Sequence, residues 1–138
     1  MTGQYIEFAV QEEKYGIGLE HIHEIIRMQE ITHVPGARPY MEGVINLRGS
    51  IIPIISLRSR FNMEKISYSK STRIIVVHRD DMLVGLIVDM VLQVVALTDI
   101  GPPPERMGVM DGCLISGVGQ SGGELVGILK VEQILETG

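Results

Sequence analysis

The residues able to do chemistry are few, and their spacing argues against most of it. Gly117-Val118-Gly119-Gln120-Ser121-Gly122 has the G-x-G-x-x-G spacing of a dinucleotide site. That use requires a strand before the glycines and a helix after them, whose first amides hold the pyrophosphate. The next segment, Leu125-Val126-Gly127-Ile128-Leu129, is rich in apolar and β-branched residues and reads as strand. A flexible hairpin loop is expected over the glycines, and no cofactor is assigned. His21 and His23 are two residues apart with Glu24 beside them. Positions i and i+2 of a helix do not face each other. Joint metal ligation would need a strand, and exposed polar positions are expected instead. His33 and His78 stand alone, no serine lies in Gly-x-Ser-x-Gly, and Asp80-Asp81 falls in an expected turn. No catalytic residue and no metal ligand is assigned, and the chain is read as a non-enzyme.

Composition narrows the class further. Twelve basic against 17 acidic residues leave a net charge of −5, with 4% aromatic residues and no Trp. Nucleic-acid binders carry a basic surplus and stacking aromatics, so nucleic acid is not an expected partner. The single cysteine, Cys113, excludes an internal disulfide and is read as a reduced core residue. No run of 18 apolar residues is present and the first residues do not form a signal peptide, so a cytosolic protein without membrane insertion is expected.

The elements that must position any site are mostly strands. The apolar fraction is 45%, and it holds 19 Ile and 14 Val against 11 Leu and 3 Ala. β-branched side chains favour a pleated surface. Tyr5 to Val10 and Tyr15 to Gly18 read as a hairpin, and Leu19 to Met28 as a short amphipathic helix through Leu19, Ile22, Ile25 and Ile26. Gly43 to Leu47 and Ile51 to Ile55 form the clearest hairpin, around Arg48-Gly49-Ser50. Pro53 has no N–H for a ladder, which puts its strand at an edge or a bulge. Leu57 to Phe61 reads as one helical turn and Asn62 to Ser71 as a polar loop. A further hairpin joins Arg73–His78 to Leu83–Val88, and a strand from Val91 to Leu97 comes after it. Thr98 to Asp111, with Pro102-Pro103-Pro104, reads as an irregular, stiff connector. Strands over Leu114–Val118 and Leu125–Leu129 and a helix over Val131–Leu135 complete the chain. Gly16, Gly85 and Gly127 each interrupt an apolar strand, a faint internal echo that suits two related units.

The most specific run is Pro39-Tyr40-Met41-Glu42-Gly43-Val44-Ile45-Asn46-Leu47-Arg48-Gly49-Ser50-Ile51-Ile52-Pro53-Ile54-Ile55-Ser56-Leu57-Arg58-Ser59-Arg60-Phe61. It resembles the signature of the CheW-like family, the coupling proteins of bacterial and archaeal chemotaxis. Tyr15-Gly16-Ile17, Ile22-His23-Glu24-Ile25 and Val34-Pro35 extend the resemblance upstream. Val84 to Asp89, Val91, Val94 and Leu129 to Leu135 extend it downstream, so it covers essentially the whole chain.

The resemblance implies an all-β fold with short helices, made of two small five-stranded barrels packed side by side. Residues 1–138 would form one domain, dividing near residues 60–72, with both termini in one barrel. It implies a bridge between chemoreceptor tips and the regulatory domain of the histidine kinase CheA, at receptor arrays beside the membrane. By resemblance, Glu24 and Arg48 are an acidic–basic pair affecting that coupling, and Ile22 and Ile25 lie near a receptor-contacting groove. Gly43, Asn46, Leu47 and Gly49 belong to the signature hairpin, and Arg58 lies further along the same run; all are candidate protein-binding residues. A module serving another receptor–kinase pathway, such as type-four-pilus motility, is the alternative. A partner can also add to an exposed strand edge beside a glycine turn.

Overall fold

The computed structural model describes residues 3–37, 40–102, 106–107, 110–111 and 114–135. Cys113, Pro103 and Pro104 lie outside the described residues.

Apolar alternation builds the first ladder, in which β1 (Gln4–Val10) and β2 (Glu13–Gly18) pair around Gln11-Glu12. A 3-10 turn, Leu19–His21, then leads into β3 (Ile22–Arg27). The helix expected over Leu19–Met28 is therefore a turn and a strand. The register of this strand shifts between Ile22 and Glu24. The extra residue, His23, breaks the two-residue alternation and makes the apolar positions resemble a helical period. A long antiparallel ladder supplies the hydrogen bonds that decide the outcome.

β4 (Met41–Leu47) and β5 (Ser50–Ser56) form the signature hairpin, and α1 (Leu57–Arg60) continues from it as one turn capped by Ser56. β6 (Arg73–Arg79) and β7 (Met82–Val88) pair around Asp80-Asp81, and β8 (Met90–Ala96) comes next. Within the segment expected to be an irregular connector, β9 (Thr98–Gly101) pairs with β12 (Ile115–Ser121), while β10 (Arg106–Met107) and β11 (Met110–Asp111) pair with each other. β13 (Glu124–Leu129) and α2 (Val131–Leu135) end the described chain. The glycines read as a flexible loop lie largely in the β12–β13 ladder: Gly117 to Ser121 are strand, and only Gly122-Gly123 turn. Beyond that turn the chain enters strand β13, where a pyrophosphate site would need a helix N-terminus.

Among the described residues, and apart from the two-stranded β10–β11 pair, the strands form two sheets with matching patterns. One runs β3-β6-β7-β5-β4 and the other β8-β1-β2-β13-β12-β9. Each contains one parallel pair, β5–β7 or β2–β13, and Gly85, Gly16 and Gly127 all sit in these parallel registers. The faint echo in the sequence thus marks equivalent positions in both sheets. Each sheet also lends a strand to the other. β3 comes after β2 in the chain yet pairs with β6, and β8 comes after β7 yet pairs with β1. Leu97 alone separates β8 from β9, although these lie at opposite ends of their sheet. That buried corner makes the sheet roll into a barrel-like form.

Among the described residues, three apolar clusters result from this layout. Ile45, Leu47, Ile52, Ile54, Ile74, Val76 and Ile87 form a cluster contributed by strands of the five-stranded sheet. Leu97, Val126 and Ile128 form a smaller one at the six-stranded sheet. The largest cluster draws on both sheets and both helices, from Phe8, Tyr15 and Ile17 to Ile75, Leu86, Phe61 and Ile134. A cluster shared in this way ties the two sheets together. Arg60 donates to the Gln133 and Ile134 carbonyls and Arg79 to that of Leu135, holding the last turn of α2 against the body.

Pro53 departs from expectation. Its strand is internal, between β4 and β7. Pro53 pairs with Val44 on one side, while pairing with β7 begins at Ile54. The missing N–H is tolerated where the strand has only one neighbour.

Candidate functional site

The sharpest surface feature is the tip of the β4–β5 hairpin. Arg48 and Gly49 are its two central residues, with φ of 50° and 88°. Positive φ at both positions is the requirement of a type I′ turn, whose twist matches that of the flanking strands. Asn46 Oδ1 accepts a hydrogen bond from the Gly49 amide at 2.9 Å and holds the bend. Nothing would touch a Cβ added at Gly49, so glycine serves the backbone angle there.

The turn aims the Arg48 side chain across an open seam. β3 and β4 are opposite edges of the five-stranded sheet, yet Glu24 on β3 accepts a hydrogen bond from Arg48 Nη2. The chain after β3 closes the same seam further along. Thr32 and Val44 exchange backbone hydrogen bonds of 2.8 and 2.9 Å. This approach explains Gly43: a Cβ there would overlap the Thr32 carbonyl, and its φ is 147°. Gly43 therefore has a backbone task, and Leu47, 7% exposed, a packing task.

Ile22 and Ile25 are half-buried and pack against the shared core from β3, as does Val91 from β8. β8 also leaves Met90, Leu92 and Val94 uncovered, and Ile51 beside the hairpin tip is 63% exposed. Sequence reasoning does not single out these apolar side chains as surface groups. A run such as Met90-Val91-Leu92, apolar on both sides, reads as a buried strand; only the edge position of β8 leaves it open.

Arg58 lies apart from the seam. Its guanidinium pairs bidentately with Asp89, at 3.0 and 2.6 Å, and donates to the Glu64 carbonyl. The Asp89 hydrogen bond raises the Arg58 pKa above its already high value. Asp89 also accepts from the Gln11 amide at 2.7 Å. Arg58, on α1, is thereby tied to the β1–β2 turn through the residue linking β7 and β8. Its fork is engaged within the molecule.

No helix among the described residues is long and apolar enough to cross a membrane. The arrangement offers neighbouring charged and apolar surfaces, suited to another polypeptide.

Comparison with known proteins agrees in extent and in fold. Residues 4–138 match the CheW-like domain. A chemotaxis protein CheW of Helicobacter pylori is 37% identical over 135 residues, covering 96% of this chain and 81% of that one. The crystal structure of the scaffolding protein TtCheW from Thermoanaerobacter tengcongensis superposes with a TM-score of 0.90 at 34% identity, covering 100% of this chain and 90% of that one. A partial match, 34% identical over 68 residues, is to the protein PilI of Pseudomonas aeruginosa; it covers 49% of this chain and 38% of that one.

Proposed function

This chain belongs to the CheW-like family of chemotaxis coupling proteins, and from that premise we propose that it bridges chemoreceptor tips to the regulatory domain of the kinase CheA. It acts without catalysis, by presenting surfaces, and works at receptor arrays on the inner face of the membrane. The observation carrying this reading is the Glu24–Arg48 ion pair across the seam, close in the fold to half-buried Ile22 and Ile25. Exposed charge beside uncovered apolar side chains is the pattern of a surface that exchanges partners: the charges guide encounter and the apolar groups hold the complex. Glu24, Arg48, Ile22, Ile25 and the Asn46–Gly49 bend contribute the receptor- and kinase-facing surface. Gly43 and Leu47 support it from beneath, while Arg58 stands apart from it at the Asp89 junction.

Reconstitution with purified receptor fragments and CheA tests the proposal. Wild-type protein raises receptor-controlled kinase activity, and Arg48→Glu lowers it with the circular dichroism spectrum unchanged. Full coupling by the variant, or none by the wild type, overturns the proposal. Service in a pilus-linked receptor–kinase pathway rests only on the partial PilI match and ranks second.

A further inference from the structure

We infer that His23 and His78 form a surface site for a late first-row divalent cation, with zinc or copper the best fit. The inference does not rest on the coupling role, although His23 lies between Ile22 and Glu24 of the proposed coupling surface. These histidines are far apart in sequence, but the β3–β6 ladder brings them together. His23 is the extra residue at the register shift between the Ile22–Val77 and Glu24–Val76 pairs, and His78 is the residue after Val77. Their ring centres are 5.2 Å apart, and the ring planes cross at 89°.

A metal bonded to two imidazoles lies about 2.1 Å from each nitrogen, which puts the ring centres roughly 5 Å apart at a tetrahedral angle. The observed separation fits without backbone movement. Both side chains are exposed, so each ring can turn about χ2 to aim a nitrogen at a common point. The nearest charges, Glu24 and Arg48, leave the site close to neutral, so the two imidazoles carry the binding. Glu24 Oε1 is 3.6 Å from His23 Nε2, and the positive charge of Arg48 is already paired with that same carboxylate. Among the described residues no group of three or more His, Cys, Asp or Glu converges to hold a metal. Water must fill the remaining positions, which sets the affinity at the level of a two-histidine chelate. Imidazole selects zinc, copper and nickel over the hard ions magnesium and calcium, which prefer oxygen.

Calorimetric titration of untagged protein with zinc chloride tests this. One-to-one binding is expected, weakened at least ten-fold in His23→Gln and in His78→Gln and retained in His21→Gln. Magnesium chloride should give no binding. Both altered side chains are exposed, and thermal melts without metal should match the wild type. No zinc binding, binding indifferent to both substitutions, or binding lost only in His21→Gln would overturn the inference.

Discussion

Glu24 and Arg48 meet across the gap between the two edge strands of the five-stranded sheet, joining residues that no backbone ladder connects. Arg48 is 66% exposed at its side chain, so the pair contributes little stability, on the order of 0–1 kcal/mol. Its main effect is to hold the hairpin tip beside β3. Arg48→Glu should therefore shift the melting temperature only slightly while reducing kinase coupling at least several-fold. The exchange Glu24→Arg with Arg48→Glu should recover part of it. A large loss of stability in the single variant would show that the pair belongs to the folding core instead.

Gly43→Ala should be far more damaging than its size suggests. The added methyl meets the Thr32 carbonyl at the bridge by which the chain after β3 bonds to β4. A loss of roughly 2–4 kcal/mol is expected in urea unfolding, because either the Thr32–Val44 bridge opens or the backbone strains. Wild-type stability in the alanine variant would mean that the seam closes in another way.

Gly49→Val tests the turn alone. A β-branched residue is poorly suited to φ of 88°, although the space beside it is open. Destabilisation of about 1 kcal/mol or more is expected. An unaltered melting curve would contradict a type I′ bend.

Asp89→Asn removes one charge from a bidentate pair that is mostly covered, with side-chain exposures of 13% for Arg58 and 24% for Asp89. It also weakens the acceptor for the Gln11 amide. A cost of about 1–3 kcal/mol is expected, together with faster hydrogen exchange in the β1–β2 turn. Normal exchange there would detach that turn from the Arg58 junction.

Tyr15 gives a pH test. Burial, then the charge of Glu13, pushes its hydroxyl above the ordinary tyrosine value. The folded state therefore prefers the neutral phenol. This stabilisation is complete below about pH 10, where the unfolded chain's tyrosine titrates, and is lost as the pH rises through the folded value. Alkaline titration monitored by tyrosinate absorbance should show Tyr15 ionising above the ordinary tyrosine range, and Tyr15→Phe should lose less stability in base. Equal losses in both proteins would assign alkaline unfolding to another group.

Much of this architecture is present in local chemistry. The β-branched runs specify strands, and turn residues bound the β4–β5 and β6–β7 hairpins, because backbone preference acts over a few residues. The Pro39–Phe61 run carries the family resemblance, and comparison with known proteins establishes the family over residues 4–138. Local pattern failed where pairing was long-range. The register shift at His23 disguised β3 as a helix, and Leu97 hid a corner joining opposite edges of a sheet. Sequence by itself determined which residues could be strand, turn and core, since those depend on side-chain shape and hydrophobicity. Tertiary structure alone decided that Gly43 faces Thr32, that Arg58 is held by Asp89, and that His23 meets His78. Those relationships depend on which strands exchange hydrogen bonds, and such pairing joins residues whose separation along the chain carries no local signal.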